Sequence, residues 1–122
     1  MKVGDYVRYR CAYDNTIKIK KINAIVPPDN LIKENYYKFD DYEGTIEKCI
    51  IKSSPNIIDL IKKKDIVVDY NDNIYRVVKV WKGYVFTDKE NKFGQVITLV
   101  DYQIKSIVTC EQFLQMEYKV GE

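Results

Sequence analysis

The chain has 122 residues, of which 46% are hydrophobic and 31% charged, with a formal net charge of only +2 and no histidine. This length suits one ordinary domain or two small units that share a core, and the weak charge excludes the strongly basic footprint of a dedicated nucleic-acid binder. No apolar run approaches the length of a membrane span, and residues 1–10 lack the apolar core of a signal peptide. We therefore expect a cytoplasmic protein that does not associate with a membrane.

The three cysteines, Cys11, Cys49 and Cys110, are an odd number without paired spacing. A structural zinc site usually takes four Cys or His ligands, and a disulfide framework needs pairs, so we expect reduced thiols, no metal and no other cofactor. The lack of histidine also removes the Ser-His and Cys-His arrangements of nucleophilic catalysis. Since Gly-rich phosphate-binding loops are absent as well, the sequence predicts a protein that is not an enzyme and has no small-molecule substrate.

In the first half of the chain, alternating apolar residues predict a strand over Val3–Arg10 and a second strand over Thr16–Val26. The second strand changes parity in its middle, which a bulge at Lys20-Lys21 would explain, and Pro27-Pro28 ends it. The remaining predicted elements are short strands over Asn35–Phe39 and Thr45–Lys52, and a short helix over Asn56–Ile61 after the capping residue Ser54.

The second half opens with a hairpin, two strands over Ile66–Tyr70 and Ile74–Val80 joined by Asn71-Asp72-Asn73. β-branched and aromatic residues fill both strands, and Asn and Asp tolerate the left-handed backbone that a tight turn requires. Further strands are predicted over Gly83–Thr87, Gln95–Val100, Ile104–Val108 and Glu117–Val120, with a helix over Cys110–Met116 that a capping box of Thr109 and Gln112 would begin.

The two halves repeat one order of elements. Gly4-Asp5-Tyr6-Val7 echoes Lys64-Asp65-Ile66-Val67, and the tripeptide IKS precedes both predicted helices. Either a duplication or the general similarity of short β patterns explains the echo. About five short strands per half, with a single turn before the last, are typical of SH3-like barrels. We predict a mainly β fold with two short helices, in which tandem SH3-like small β-barrel units, residues 1–63 and 64–122, pack as one body.

The first hairpin carries a cluster of basic side chains with tyrosines nearby. Basic groups interleaved with aromatic rings can follow a phosphate backbone and stack on bases. The simpler interpretation is a solvated outer face, on which lysines keep an edge strand from pairing with neighbours. The candidate residues for contact with a nucleic acid or an acidic partner are Arg8, Arg10, Lys18, Lys20 and Lys21.

Eleven tyrosines are too many for so small a core to bury completely, so we expect some rings, among Tyr36, Tyr37, Tyr42 and Tyr102, at the surface. Trp81 and Tyr84 flank the turn Lys82-Gly83, where an SH3-like fold often presents aromatic side chains to a partner. Alternatively, Trp81 closes the core of a small barrel. The candidate partner-binding residues are Trp81, Tyr84, Tyr36 and Tyr37.

Two acidic features suggest metal chemistry only weakly. Asp40, Asp41 and Glu43 form an acidic loop, but the EF-hand pattern is absent, so we predict a solvated loop without a metal ion. Glu90-Asn91-Lys92 and Glu117-Tyr118-Lys119 have the carboxylate-x-lysine spacing of some metal-dependent nucleases, without an acidic partner ahead of them on a strand. Metal-dependent hydrolysis is therefore the least favoured hypothesis.

Three segments resemble small proteins encoded by phages and prophages of low-GC Gram-positive bacteria. They are the start GDYVR, the run IIKSSPNIIDLI at Ile50–Ile61, and the tail IKSIVTCEQFLQMEYKV at Ile104–Val120, which is the most specific. Much of Asp14–Glu47 departs from the pattern. The resemblance implies a phage accessory role without catalytic residues, and small proteins of this kind often inhibit host systems, as anti-CRISPR proteins do.

We therefore expect a non-enzymatic phage or prophage protein that inhibits a host defence complex, in the manner of an anti-CRISPR protein, by binding and blocking a protein surface. The expected partner is a host protein or nucleoprotein complex in the host bacterial cytoplasm. The alternative is a nucleic-acid-binding SH3-like module that uses the basic face of the first hairpin, with an affinity that falls steeply as salt rises.

Overall fold

Short antiparallel strands build both parts of the computed structural model, which describes residues 1–41 and 43–113. The chain divides into two compact units, Met1–Asn56 and Ile57–Glu122. The strands of the first unit are β1 (Tyr6–Arg10), β2 (Ile17–Lys21), β3 (Ala24–Val26), β4 (Tyr36–Lys38), β5 (Gly44–Ile46) and β6 (Ile50–Ser54). They form two sheets, one with the order β2-β1-β6 and the other with the order β3-β4-β5.

Two strands predicted for this unit are interrupted. Thr16–Val26 divides into β2 and β3 at Ile22-Asn23, where the side chain of Ile22 is 1% exposed and enters the core. This break, and not a bulge at Lys20-Lys21, accounts for the change of parity, because β1 and β2 pair in continuous register through Lys21. Thr45–Lys52 likewise divides into β5 and β6, with a 3-10 turn at Glu47–Cys49 between them.

The second unit has a single five-stranded sheet among its described residues. Its strands are β7 (Ile66–Asp69), β8 (Ile74–Trp81), β9 (Tyr84–Glu90), β10 (Val96–Leu99) and β11 (Ile104–Val108). The order is β10-β9-β8-β7-β11, and all neighbours are antiparallel. The predicted hairpin is confirmed as β7 and β8, and a 3-10 turn at Asp101–Gln103 precedes β11.

The two units share one strand order. In each, the last strand pairs with the first, β6 with β1 and β11 with β7, and a 3-10 turn precedes that last strand. When β2 and β3 are counted as one broken strand, both units have the strand order of an SH3-like unit. With 46% strand against 12% helical residues, the mainly β prediction is confirmed.

The helix that follows the last strand of each unit is short. Ser54 Oγ accepts a hydrogen bond from the Asn56 N–H at 3.1 Å, and a 3-10 helix follows over Ile57–Leu60. Thr109 Oγ1 accepts from the Gln112 N–H at 3.2 Å, and residues 110–113 are helical. The rest of the predicted C-terminal helix and the predicted strand over 117–120 lie outside the described residues. Within the described ranges, no helix has the length and apolar character needed to cross a membrane.

Each unit has its own apolar core. In the first, the rings of Tyr9 and Phe39 lie 4.9 Å apart between centroids. The buried side chains of the first core are Val7, Tyr9, Cys11, Ile22, Tyr37 and Phe39. Those of the second core are Ile58, Ile61, Val67, Tyr75, Val77, Val85, Leu99 and Ile104.

A β-turn leads into the first strand of each unit, at Lys2–Asp5 and Lys62–Asp65; we call these the entry turns. In each turn the N–H of the fourth residue donates to the carbonyl of the first, and the N–H of the first donates to the carboxylate of the fourth. These distances are 3.1 and 3.1 Å in Lys2–Asp5, and 3.1 and 2.9 Å in Lys62–Asp65. The third residue has a positive φ, 97° at Gly4 and 78° at Lys64, as a type II turn requires. The sequence echo between the halves therefore encodes a turn.

Each entry turn also forms two backbone hydrogen bonds with one residue on the neighbouring part of the chain, Ile22 directly after β2 or Val77 within β8. The N–H of its third residue donates to the carbonyl of Ile22 or Val77 at 2.9 Å, and these two residues donate back to the carbonyl of the fourth residue at 2.8 Å. The fully buried Asp65 carboxylate accepts in addition the N–H of Cys110 at 2.8 Å. One side chain thus joins the start of β7 to the start of the last described helix.

The turn between β7 and β8 depends on a second carboxylate, that of Asp69. Its Oδ1 accepts the N–H groups of Asn71 and Asn73, both at 2.9 Å, and its Oδ2 accepts the Tyr75 hydroxyl at 3.0 Å. Asp72 has a φ of 63°, so the predicted left-handed residue lies in the predicted turn. Burial raises the pKa of Asp69, but the hydrogen bonds from Asn73, Tyr75 and Asn71 outweigh it and hold that pKa below its ordinary value.

We predict that Lys64→Gly stabilises the protein by about 1 kcal/mol, because a left-handed backbone costs a non-glycine residue about 1–2 kcal/mol and glycine offsets part of this gain through entropy. The free energy of unfolding from urea titration measures the change. Lys63→Gly is the matched control, since Lys63 has a negative φ, and we expect it to lower stability. A Lys64→Gly variant that is no more stable than the control contradicts the prediction.

We predict that the protein loses stability as the pH falls below about 4, the ordinary pKa of an aspartate, in part through Asp69. A group whose pKa is depressed by folding stabilises the folded state above its unfolded pKa, and this contribution disappears as the pH falls through the folded pKa. Asp69→Asn should therefore be less stable at neutral pH and show a shallower loss between about pH 4 and pH 2. Urea titrations across this range test it; identical slopes for both chains would contradict it.

Candidate functional site

The hairpin of β8 and β9 presents aromatic side chains at its tip. Trp81, the last residue of β8, pairs in register with Tyr84, the first residue of β9. The two residues between them, Lys82 and Gly83, have φ angles of 49° and 81°, as a two-residue type I′ turn requires. Trp81 is 57% exposed and Tyr84 49% exposed. Trp81 therefore lies at the surface and does not close a core, and Tyr84 beside it is exposed as well.

A third ring and two ammonium groups extend this tip into a surface. Lys79 pairs in register with Phe86, and the Lys79 Nζ lies 4.7 Å from the centroid of the Phe86 ring. The Lys82 Nζ lies 4.6 Å from the centroid of the Trp81 ring. Cation–π contacts of this kind hold a positive charge next to an aromatic face. We call this surface the aromatic face; its residues are Lys79, Trp81, Lys82, Tyr84 and Phe86.

A shift of register in β8 creates the aromatic face. Between Val77 and Lys79 the pairing with β9 slips, so that Val77 opposes Thr87 but Lys79 opposes Phe86. A bulge of this kind redirects the side chains that follow it. Val77 and Thr87 are consequently buried, whereas Lys79 and Trp81 are both exposed.

The part of the β8–β9 hairpin that carries the aromatic face has positive charges only, and β9 continues beyond it with Asp88 and Glu90. Residues 76–87, RVVKVWKGYVFT, contain three positive charges, on Arg76, Lys79 and Lys82, and no negative charge. The chain as a whole has only two more basic than acidic residues. The hairpin therefore combines exposed aromatic area with a local excess of positive charge.

The basic surface predicted for the first hairpin does not form as expected. Arg8 is only 5% exposed and lies in β1 between the fully buried Val7 and Tyr9, so the prediction of an exposed Arg8 was wrong. The Lys18 Nζ is 3.0 Å from Glu43 Oε1 and 3.2 Å from Asp14 Oδ2. Part of the positive charge of the first hairpin is thus neutralised by carboxylates of the same unit.

The acidic loop supplies the partners for these lysines. Asp41 forms an ion pair with Lys20, and Glu43 Oε2 accepts the Tyr9 hydroxyl at 2.9 Å. Burial and the neighbouring Glu43 carboxylate raise the pKa of the Tyr9 hydroxyl. Although burial lowers the pKa of Lys18, Glu43 and Asp14 outweigh it and raise that pKa. Asp40 and Asp41 are exposed to solvent, as predicted, and the carboxylates of Asp41 and Glu43 also act as counter-charges for the first hairpin.

Two of the five predicted basic residues keep an exposed side chain. Arg10 Nη1 donates to Asn15 Oδ1 at 3.4 Å, and the Lys21 Nζ lies 5.7 Å from the centroid of the Tyr6 ring. Lys18 and Lys20 are half-buried in their ion pairs. The structure does not bring the five groups together into one open cationic surface.

The four predicted partner-binding aromatic residues do not form one exposed site either. Tyr37 is 3% exposed and belongs to the first core, because β4 is the central strand of its sheet, so the prediction of an exposed Tyr37 was wrong. Tyr36 is half-buried, with its ring against Gly44. Tyr102 is 78% exposed, as predicted, and Tyr42 lies outside the described residues. Of the four predicted partner-binding residues, Trp81 and Tyr84 alone are both exposed and adjacent.

One group of potential metal ligands occurs among the described residues. The ligand atoms of Asp65, Cys110 and Glu111 lie within 4.8 Å of one another. The Asp65 carboxylate accepts the N–H groups of Lys62 and Cys110, and Glu111 forms an ion pair with Lys62. Burial and the Glu111 carboxylate raise the pKa of the Cys110 thiol, which disfavours the thiolate that binds metals. The hydrogen bonds of the entry turn and of the helix start therefore account for the closeness of these three side chains without a metal ion.

Sequence patterns missed Lys79, Lys82 and Phe86 as members of the site. Phe86 has the same parity as Tyr84 in β9, and the absence of acidic residues from 76–87 is visible in the sequence. These two signals together indicate the aromatic face. The inclusion of Lys79 depends on the register shift in β8, which alternation alone does not locate.

Comparisons with protein-family models, with curated proteins and with solved structures give no significant match.

Proposed function

We propose that this protein is a non-enzymatic inhibitor that binds and blocks a surface of a host complex through the hairpin of β8 and β9. The observation that supports this most directly is the pair Trp81 and Tyr84, both about half exposed at the tip of one hairpin. Trp and Tyr are enriched among the residues that dominate binding energy at protein interfaces. Neighbouring exposed aromatic side chains that form a contiguous apolar patch can mark an interaction site.

The hairpin is suited to binding because its conformation is fixed before contact. The type I′ turn at Lys82-Gly83 and the register pairing of Trp81 with Tyr84 hold both rings on a sheet. Val85, directly after Tyr84, is fully buried and anchors β9 to the second core. A rigid presentation lowers the entropy lost on binding.

The resemblance to phage and prophage proteins supports the finer part of the proposal. In that setting the blocked surface belongs to a host defence complex, in the manner of an anti-CRISPR protein, and the protein acts in the cytoplasm of a bacterial host. The alternative site on the first hairpin receives less support, since Arg8 is buried and Lys18 and Lys20 are paired with carboxylates of the same unit.

We predict that Trp81→Ala combined with Tyr84→Ala abolishes capture of a specific host protein. The tagged chain is expressed in a low-GC Gram-positive host, and the co-purified proteins are quantified. Loss of two central aromatic residues should cost at least about 2 kcal/mol, or roughly 30-fold in affinity. Phage plaque counts on a host with an active defence system provide the functional measurement, and the double variant should no longer protect the phage.

Tyr13→Ala is the matched control for this experiment, because Tyr13 is 98% exposed but belongs to the first unit and not to the hairpin. It should retain both capture and protection. The proposal is wrong if the unmodified chain retrieves no specific protein, or if the double variant and the control retrieve the same protein equally.

A further inference from the structure

The rings of the aromatic face lie in two neighbouring rows of one sheet. Trp81 and Tyr84 form the first row, and Lys79 and Phe86 form the second, which continues to Thr98 on β10. Rows two residues apart along a strand are separated by about 7 Å. The face is therefore a platform on which the rings lie in successive rows of one sheet.

The same platform carries positive charge in contact with two of its rings. The ammonium groups of Lys79 and Lys82 lie over Phe86 and Trp81, at 4.7 and 4.6 Å from the ring centroids. Both lysines are exposed, and residues 76–87 contain no acidic side chain. A partner that fits must offer flat π surfaces and negative charge together, at close spacing.

Single-stranded nucleic acid has this combination. Its bases stack on aromatic side chains without need for a particular sequence, while its phosphates contact lysines that line the same surface. An acidic protein surface would match the lysines but would place no rings against Trp81, Tyr84 and Phe86. A nucleic-acid duplex would match the charge but would keep its bases stacked inside and away from the platform.

We propose that the aromatic face binds single-stranded nucleic acid, so that the surface blocked by the hairpin is the unpaired strand of a nucleoprotein complex. The bases stack on Trp81, Tyr84 and Phe86, and the phosphates lie against Lys79 and Lys82. This inference rests on the proposed function in that the same hairpin makes the contact, but it can be tested without the host complex.

The first experiment uses Trp81 as its own reporter, because it is the single tryptophan of the chain. A deoxythymidine oligonucleotide of about 16 residues, the upper end of the site size of a small nucleic-acid-binding barrel, is titrated into the protein at low salt. Stacking on the indole should quench its fluorescence with saturation. Poly-L-glutamate of similar charge is the comparison, and it should not quench.

The second experiment measures fluorescence anisotropy of a labelled oligonucleotide with variants of the face. Trp81→Ala should weaken binding about tenfold or more, since stacking contributes about 1–3 kcal/mol per base, and Trp81→Phe should restore part of the affinity. Lys79→Ala combined with Lys82→Ala should reduce the slope of log affinity against log salt by about 1.4, at about 0.7 per phosphate contact. Phe93→Ala, a 75% exposed ring in the loop after β9, is the matched control and should bind normally.

Absence of oligonucleotide binding overturns the inference, as does equal weakening by Trp81→Ala and Phe93→Ala. Quenching by poly-L-glutamate without quenching by the oligonucleotide also overturns it, in favour of an acidic protein surface. If the oligonucleotide fails to bind while hairpin-dependent capture of a host protein persists, the proposed function stands without this inference. If the oligonucleotide binds and no host complex is captured, the inference stands and the proposed function falls.

Discussion

A buried carboxylate at the start of each unit is the interaction on which the rest of the structure depends. A charged oxygen removed from water must be supplied with hydrogen bonds, and the backbone N–H groups of Lys2 and Lys62, in the entry turns themselves, donate to Asp5 and Asp65. The turn in this way fixes where β1 and β7 begin. Asp65 extends the constraint by holding the N–H of Cys110, so the ends of the described part of the second unit meet at one side chain.

The position of the β8–β9 hairpin depends on this arrangement. Once β7 is placed, the Asp69 turn sets the register of β8, and β8 in turn positions β9 through the Lys82-Gly83 turn. Alternation then sends Val77 and Val85 into the core. The register shift between Val77 and Lys79 places Lys79 and Trp81 on the opposite face, beside Tyr84 and Phe86. The second core and the aromatic face are thus formed by opposite sides of the same two strands, so packing of the core also holds the aromatic face in place.

Local patterns in the sequence predicted the elements that depend on neighbouring residues. The β7–β8 hairpin and the Ser54 and Thr109 caps follow from residue types over a few positions. The sequence could not predict that Arg8 is buried, because alternation places Val7 and Tyr9 in the core but does not show that the opposite face of β1, the central strand of its sheet, is covered as well. Nor could it predict that Glu43 neutralises Lys18 across 25 residues, since that contact exists only after β4 and β5 have folded back.

The break between β2 and β3 has a consequence for how the first unit opens. The N–H of Ile22 donates to Asp5 at 2.8 Å, in the entry turn that leads into β1, and the N–H of the next residue, Asn23, donates to Lys38 at 2.7 Å, at the end of β4. Two consecutive amides are therefore protected by two different sheets. In terms of hydrogen exchange, Ile22 reports the opening of the sheet of β1, and Asn23 that of the sheet of β4. The exchange rates of these two neighbouring amides therefore compare the opening free energies of the two sheets.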